Sequence, residues 1–319
     1  MTVTPFSRVL TLLLVVVLAA IVAGCGDDSD DSDDGDNGDG VSTGINVVTT
    51  LPLFADIASN IAGDRAAVDS LLPAGADPHT FEPSPSDIRK ITEADVIFAN
   101  GLGLEPSLLR VIGANISSAA VLVELAEASI SAGVSTIPAT DQGNRDPHLW
   151  MDPEIGSEYA AIVRDTLSFA DPGGSETYNG NYETYAATLG DTAQYMRDTT
   201  AAVPPGDRLI ITTHDAFGYL ARAIDFEVAG FVARGPGQDA SPEDISDLIT
   251  TIEDLGVPAV FTEPQTSVET RTLEQIASDA SVDVCELYSG ALDDVVTTYV
   301  ELLRFDAEEL ARCLGGSGA

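Results

Sequence analysis

The chain has 319 residues, of which 44% are apolar, enough for two packed domains and too many for a mostly disordered protein. Acidic residues number 52 against 14 basic ones, the net charge is -38, and Lys90 is the sole lysine. Such a surface repels nucleic acid and offers no basic patch to a phosphate backbone, which excludes nucleic-acid partners; an acidic surface suits solubility in a salty habitat and names no ligand.

Residues 1–24 read as an address. Arg8 supplies a positive start, and "VLTLLLVVVLAAIVA" is an apolar run of 15 residues, short of the roughly 20 that span a bilayer, so it is an export signal. Small residues in "VAGC" stand directly before Cys25 and resemble the lipobox of prokaryotic lipoproteins, in which the cysteine becomes the lipidated first residue. Residues 25–44 then carry eight aspartates and no basic residue, a self-repelling linker that cannot bury enough surface to fold. The stretch "DDSDDGDNGDG" lacks the bidentate Glu that closes a calcium loop.

From Ile45 the pattern becomes α/β. "INVVTT", "AAVDSLL", "DVIFAN" and "AVLVEL" have the β-branched, apolar composition of buried parallel strands, with amphipathic helical segments between them. Asp152 opens a helix over "PEIGSEYAAIVRDTLSFA". Tyr178, Tyr182, Tyr185, Leu189 and Met196 then recur at helical spacing until Pro204 stops the pattern, which predicts a helix of about 28 residues, about 42 Å long. The alternation restarts with "RLIITT", "FEVAGFV", "AVFTE" and "VDVCELY" as strands. Ser241 and Asp244 make a capping-box-like helix start ahead of Ile245, Leu248, Ile249 and Ile252, and a last helix is expected over residues 292–314. The fold class is therefore α/β: two α/β lobes with mainly parallel sheets, residues 45–170 and 206–319, joined by one long rigid helix within residues 171–205. No short sequence repeat links the lobes.

Only three histidines occur, and two of them follow the same dipeptide, in "DPHTFEPSPSD" (His79) and "DPHLWMDP" (His148); the third, His214, ends the β-branched run "IITTH". Proline fixes φ and restrains the residue before it, so the repeated Asp-Pro-His is a repeated way to aim an imidazole. Loops at the carboxyl ends of parallel strands gather at one crevice. Three neutral imidazoles there suit a tetrahedral divalent transition metal, zinc before manganese, which prefers more oxygen. Asp77, Asp146 and Asp215 flank the histidines as candidate acceptors for the second ring nitrogen, or as turn and helix caps.

These motifs, with "THDAFGYLARAIDFEVAGF" and "FTEPQ" downstream, resemble the metal-binding solute-binding proteins of zinc and manganese ABC importers, over essentially Ile45 to the final helix. The resemblance implies two lobes joined by a rigid helix with the metal between them, His79 and His148 as ligands from the first lobe, and His214 from the second. It implies a monomeric, lipid-anchored receptor on the outer face of the cytoplasmic membrane that binds Zn2+ as cargo, with Mn2+ or Fe2+ as alternatives, and hands it to a cognate ABC permease without catalysing a reaction. The family's fourth ligand, an aspartate, does not carry over: "ELYSGALDD" puts Gly290 there, leaving Glu263, Asp293, Asp294 or water. Three histidines with an open fourth position also suit a zinc hydrolase with Glu263 as base, or a scaffold lipoprotein with a structural metal. Cys285 and Cys313, an even pair in an exported chain, suggest a disulfide rather than two buried thiols, and some zinc-binding members of the family have a comparable bridge.

Overall fold

Short β-branched runs that alternate with proline-started helices organise residues 44–138, 145–233, 235 and 240–315, which the computed structural model describes. The expected export signal, Cys25 and nearly all of the acidic linker lie outside the described residues. The first lobe holds β1 (Ile45–Thr49), β2 (Ala66–Ser70), β3 (Val96–Ala99) and β4 (Val121–Glu124), with α1 (Pro52–Ala62), α2 (Pro85–Glu93), α3 (Pro106–Asn115) and α4 (Leu125–Ser131). Then come α5 (Pro153–Ala170) and the long α6 (Ser175–Thr200). The second lobe holds β5 (Leu209–His214), α7 (Gly218–Ile224), β6 (Glu227–Ala233), α8 (Pro242–Leu255), β7 (Ala259–Thr262), α9 (Ser267–Ala280), β8 (Asp283–Glu286) and α10 (Tyr299–Leu314). Proline begins α1, α2, α3, α5 and α8, where its fixed φ helps and its missing N–H costs nothing. Among the described residues no helix is long and apolar enough to cross a membrane.

Both sheets are wholly parallel and share one topology. The first runs β2-β1-β3-β4 and the second β6-β5-β7-β8, so each reverses direction between its two central strands. That reversal opens a crevice at the carboxyl ends of the strands. The lobes nevertheless do not have independent cores. One apolar cluster runs from Val47 and Phe98 of the first lobe, through Tyr159, Leu167, Tyr178 and Met196 of α5 and α6, to Phe261 and Leu310 of the second; only a smaller cluster around Ile211, Val260 and Leu273 belongs to the second lobe alone. Close approach fixes the joint: a Cβ on Gly156 of α5 would fall 2.2 Å from the Tyr299 hydroxyl, so glycine there lets α10 dock.

Polar bonds close the same joint. Trp150 Nε1 donates to the Ser289 carbonyl (2.9 Å), Gly75 N to the Leu292 carbonyl (2.8 Å), Tyr299 N to Asp56 (3.1 Å) and Arg222 to Asp152 (2.9 Å).

The last helix begins later than residue 292. Asp293 Oδ1 accepts the amides of Val295 and Val296 and bends the chain, and Thr298 with Glu301 then forms a capping box that starts α10. The irregular stretch ahead of α10 is held from below by a disulfide between Cys285 and Cys313 and by buried Asp306, whose Oδ1 accepts the Tyr288 amide at 2.9 Å.

Burial pushes the Asp306 carboxyl well above the usual carboxylate range, and Glu263 and Glu309 add to the shift. A folded-state pKa raised above the unfolded one gives stability that is fully present below the unfolded pKa and is lost as pH rises through the folded value. Asp306→Asn keeps the acceptor without the charge. Its urea midpoint should therefore fall less than wild type's as pH rises from about 4 upward, and should equal or exceed it at neutral pH; parallel curves for the two proteins would assign the pH dependence elsewhere.

Candidate metal centre

The repeated Asp-Pro-His folds as one repeated turn. Asp77 Oδ1 accepts the His79 amide at 3.0 Å, and Asp146 Oδ1 accepts the His148 amide at 2.9 Å, so each aspartate clasps the backbone of its own histidine. The second turn goes further, because Asp146 Oδ1 also meets His148 Nδ1 at 2.8 Å. His214 arrives on the last residue of β5, and Glu263, just beyond β7, meets its Nδ1 at 2.8 Å. In both pairs the carboxylate can only accept, so the proton sits on Nδ1 and the lone pair on Nε2; Nε2 of His148 lies 3.4 Å from His79 Nε2.

The three rings converge from the two lobes. Their centroids lie 5.5 Å apart for His79 and His148, 5.8 Å for His79 and His214, and 5.3 Å for His148 and His214. One ligand atom from each lies within 4.8 Å of the others, and no carboxylate belongs to that group. They line a cavity of about 10 Å³ with Asp77, Trp150, Gln265, Ser289 and Gly290, room for one ion. A larger hollow of about 320 Å³, between α1, α6 and the start of α10, contains no histidine.

Electrostatics separate the rings. Burial and the neighbouring rings of His148 and His214 hold His79 well below the usual imidazole pKa, so it is neutral at physiological pH. Burial also opposes charge on His214, but the Glu263 carboxylate outweighs it, with Asp77 and Asp215 adding at longer range, and the net shift is upward. Glu263 is lowered in turn: burial raises it, and His214 with the hydrogen bonds from Ser289 and Thr213 overcomes that.

The structure accounts for five of the expected acids. Glu263 is not placed as a ligand or a free base: Thr213 and His214 occupy Oε1, and Gln265 Nε2 donates to Oε2 at 3.1 Å. Asp293 has both oxygens engaged, one by the Val295 and Val296 amides and the other by the Tyr288 hydroxyl at 2.8 Å. Asp294, one residue on, is exposed. Asp77 takes the Thr80 hydroxyl in addition to the His79 amide, a turn cap and not a partner for a ring nitrogen. Asp215 is half-buried beside His214 and acts on it through its charge. At Gly290 a side chain would press on the indole, its Cβ 3.2 Å from Trp150 Cζ2 and from Leu53 Cδ2.

Several supporting residues carry no motif. Buried Glu105, its carboxyl pushed up to about 7 by burial, accepts the Asn100 amide (2.6 Å) and the Thr50 hydroxyl (3.0 Å) at the point where the first sheet reverses. Asn100 in turn donates to the Pro147 carbonyl (2.9 Å) and accepts from Tyr159 (2.8 Å), which seats the loop ahead of His148. Only the tertiary fold brings these positions together; an acid in a glycine-rich loop gives no distinct signal.

A two-lobed α/β frame with a histidine-lined cleft defines the solute-binding class of protein. The chain belongs to the family described as zinc-uptake complex component A periplasmic, whose pattern matches residues 47–313, the solute-binding proteins of zinc and manganese ABC importers. It is 30% identical over 298 residues to the manganese-binding lipoprotein MntA of Halalkalibacterium halodurans, covering 92% of this chain and 94% of that one. It is 29% identical over 280 residues to the manganese ABC transporter substrate-binding lipoprotein PsaA of Streptococcus mitis, covering 85% and 89%. Its fold resembles that of the periplasmic zinc-binding protein TroA from Treponema pallidum, with a TM-score of 0.77 and 27% identity, over 85% of this chain and 99% of the other.

Trp150 is the sole tryptophan, and its ring centroid lies 5.4 Å from that of His148. Adding a divalent transition metal to metal-free protein should change its emission with a one-to-one endpoint. Emission that is indifferent to metal while binding is detected independently would place the ion away from His148.

Proposed function

We propose that the protein is a receptor outside the cytoplasmic membrane that takes up a divalent transition metal, zinc first, on His79, His148 and His214 and delivers it to an ABC permease. The observation that carries this reading is the convergence of three imidazoles from two lobes within 4.8 Å, two of them oriented by carboxylates behind the ring. Orienting partners of this kind fix the tautomer and raise ligand basicity. Relatives are named for manganese and for zinc, so the name of a relative does not choose the ion. The donor set supports zinc: three imidazole nitrogens, with no carboxylate in the same 4.8 Å group, suit zinc, whereas manganese prefers oxygen. The occupied oxygens of Glu263 speak against the hydrolase reading, which needs that group as a base.

Competition with a chelating dye should give tighter binding of zinc than of manganese or iron(II). His214→Ala should weaken zinc by more than about 100-fold, beyond the roughly 10- to 100-fold cost of losing an orienting partner. Tighter binding of manganese, or wild-type zinc affinity in His214→Ala, would overturn the reading. At a hundredfold excess over the dissociation constant zinc should add about 2.7 kcal/mol to the stability of a protein that stays folded without it; a metal-free chain lacking cooperative unfolding would instead mark a structural metal.

The chain is proposed to act as a monomer, exported and lipid-anchored at Cys25, with residues 26–44 as a charged tether. The apolar run and "VAGC" support export and the anchor, as does the word lipoprotein in the names of the relatives. Cys25→Ser should move the protein from the membrane to the soluble fraction of expressing cells; unchanged membrane association would remove the anchor from the proposal.

A further inference from the structure

One residue that lines the cavity has a buried polar atom whose needs the fold leaves unmet. Gln265, the last residue of "FTEPQ", lines it with the three histidines, Ser289 and Gly290. Its Nε2 donates to the Ser289 hydroxyl oxygen at 2.6 Å and to Glu263 Oε2 at 3.1 Å, which uses both amide hydrogens. The orientation is forced: turning the amide over would set its oxygen against the Glu263 carboxylate, which can only accept. Its Oε1 is thereby fixed on the other side, buried, and no protein donor reaches it. A buried amide carbonyl without a partner costs about 1–3 kcal/mol, so the arrangement calls for a positive or donating species in the cavity.

The other polar groups at the cavity already have protein partners. Asp77 and Asp146 are spent on the turns that carry His79 and His148, Glu263 on His214, and Ser289 on Gln265 and Glu263. Residue 290 has no side chain, and the Trp150 ring fills the space one would cross.

We infer that Gln265 Oε1 is the fourth donor to the cation, completing a site of three imidazole nitrogens and one neutral amide oxygen. The inference rests on the proposed histidine site. A neutral oxygen where a carboxylate would otherwise sit leaves the ion's charge less compensated, which disfavours cations that depend on anionic oxygen and makes Gln265 a determinant of selectivity.

The test uses metal-free full-length protein, zinc affinity by dye competition, and the visible d–d absorption of bound cobalt(II), which responds to the donor set. Gln265→Leu should weaken zinc by at least about 10-fold and shift the cobalt bands; cooperative urea unfolding of the metal-free variant checks that the fold survives the loss of the bonds to Ser289 and Glu263. Wild-type zinc affinity, or weaker zinc binding with unchanged cobalt bands, would overturn the inference; the second result would mean that Gln265 acts only by holding Ser289 and Glu263. If the leucine variant unfolds, Gln265→Glu carries the test, because an anionic oxygen bound to the ion should raise manganese affinity relative to zinc, and an unchanged ratio would overturn the assignment. His214→Ala measured in parallel separates the two proposals: retained zinc binding there removes the histidine site itself, whereas lost binding there with wild-type behaviour at position 265 removes only the fourth donor.

Discussion

Three imidazoles are held with centroids 5.3–5.8 Å apart, close enough that positive charge on any two of them is mutually repulsive. Two unit charges about 5 Å apart repel by roughly 3 kcal/mol at an effective dielectric of about 20. The fold must hold the rings together against that repulsion, and it does so by making the two lobes one body. The shared core, the Gly156–Tyr299 contact and the Trp150–Ser289 bond leave the rings little room to separate. A frame of this kind invests its packing in keeping nitrogen lone pairs converged, which an ion can use and a proton can use only once.

The acids of this very acidic chain are kept behind the rings. Asp146 and Glu263 face Nδ1 of their histidines and so stand away from Nε2, and at His214 the Glu263 charge raises the pKa of the ring. Asp77 is tied to a turn, and Asp293 is tied to the bend before α10. Fifty-two acidic residues thus coexist with a cavity where three imidazoles, and no carboxylate, form the close group. Composition and coordination chemistry are decoupled by where each carboxylate is bonded.

The shared topology of the two sheets explains where that chemistry sits. In each, the central strands end at the reversal in strand order, and each lobe places a buried carboxyl there: Glu105 at the first, Glu263 at the second. Glu105 acts at one remove, through Asn100 and the Pro147 carbonyl, on the loop that presents His148. Glu263 acts directly on His214. The same geometric opportunity is used once for a backbone and once for a ring.

The amino-acid sequence by itself determined the α/β alternation, the long helix, the Asp-Pro-His turns and the three rings worth considering, because each depends on neighbours in the chain. β-Branched runs, proline at helix starts and an aspartate two residues before an amide act within a few positions. The last helix was misjudged from the same kind of signal, since the apolar residues Leu292 and Val296 are buried by a bend and not by a helix face. What only the tertiary structure decided is which acid serves which group. Glu263 and His214 are 49 positions apart, Trp150 and Ser289 are 139 apart, and Asp293 is turned away by Tyr288 although it stands three residues from Gly290. A carboxylate or an amide looks the same in any loop; its role is set by the donors that reach it first, and those donors come from strands and helices that meet only when both lobes have closed on one core.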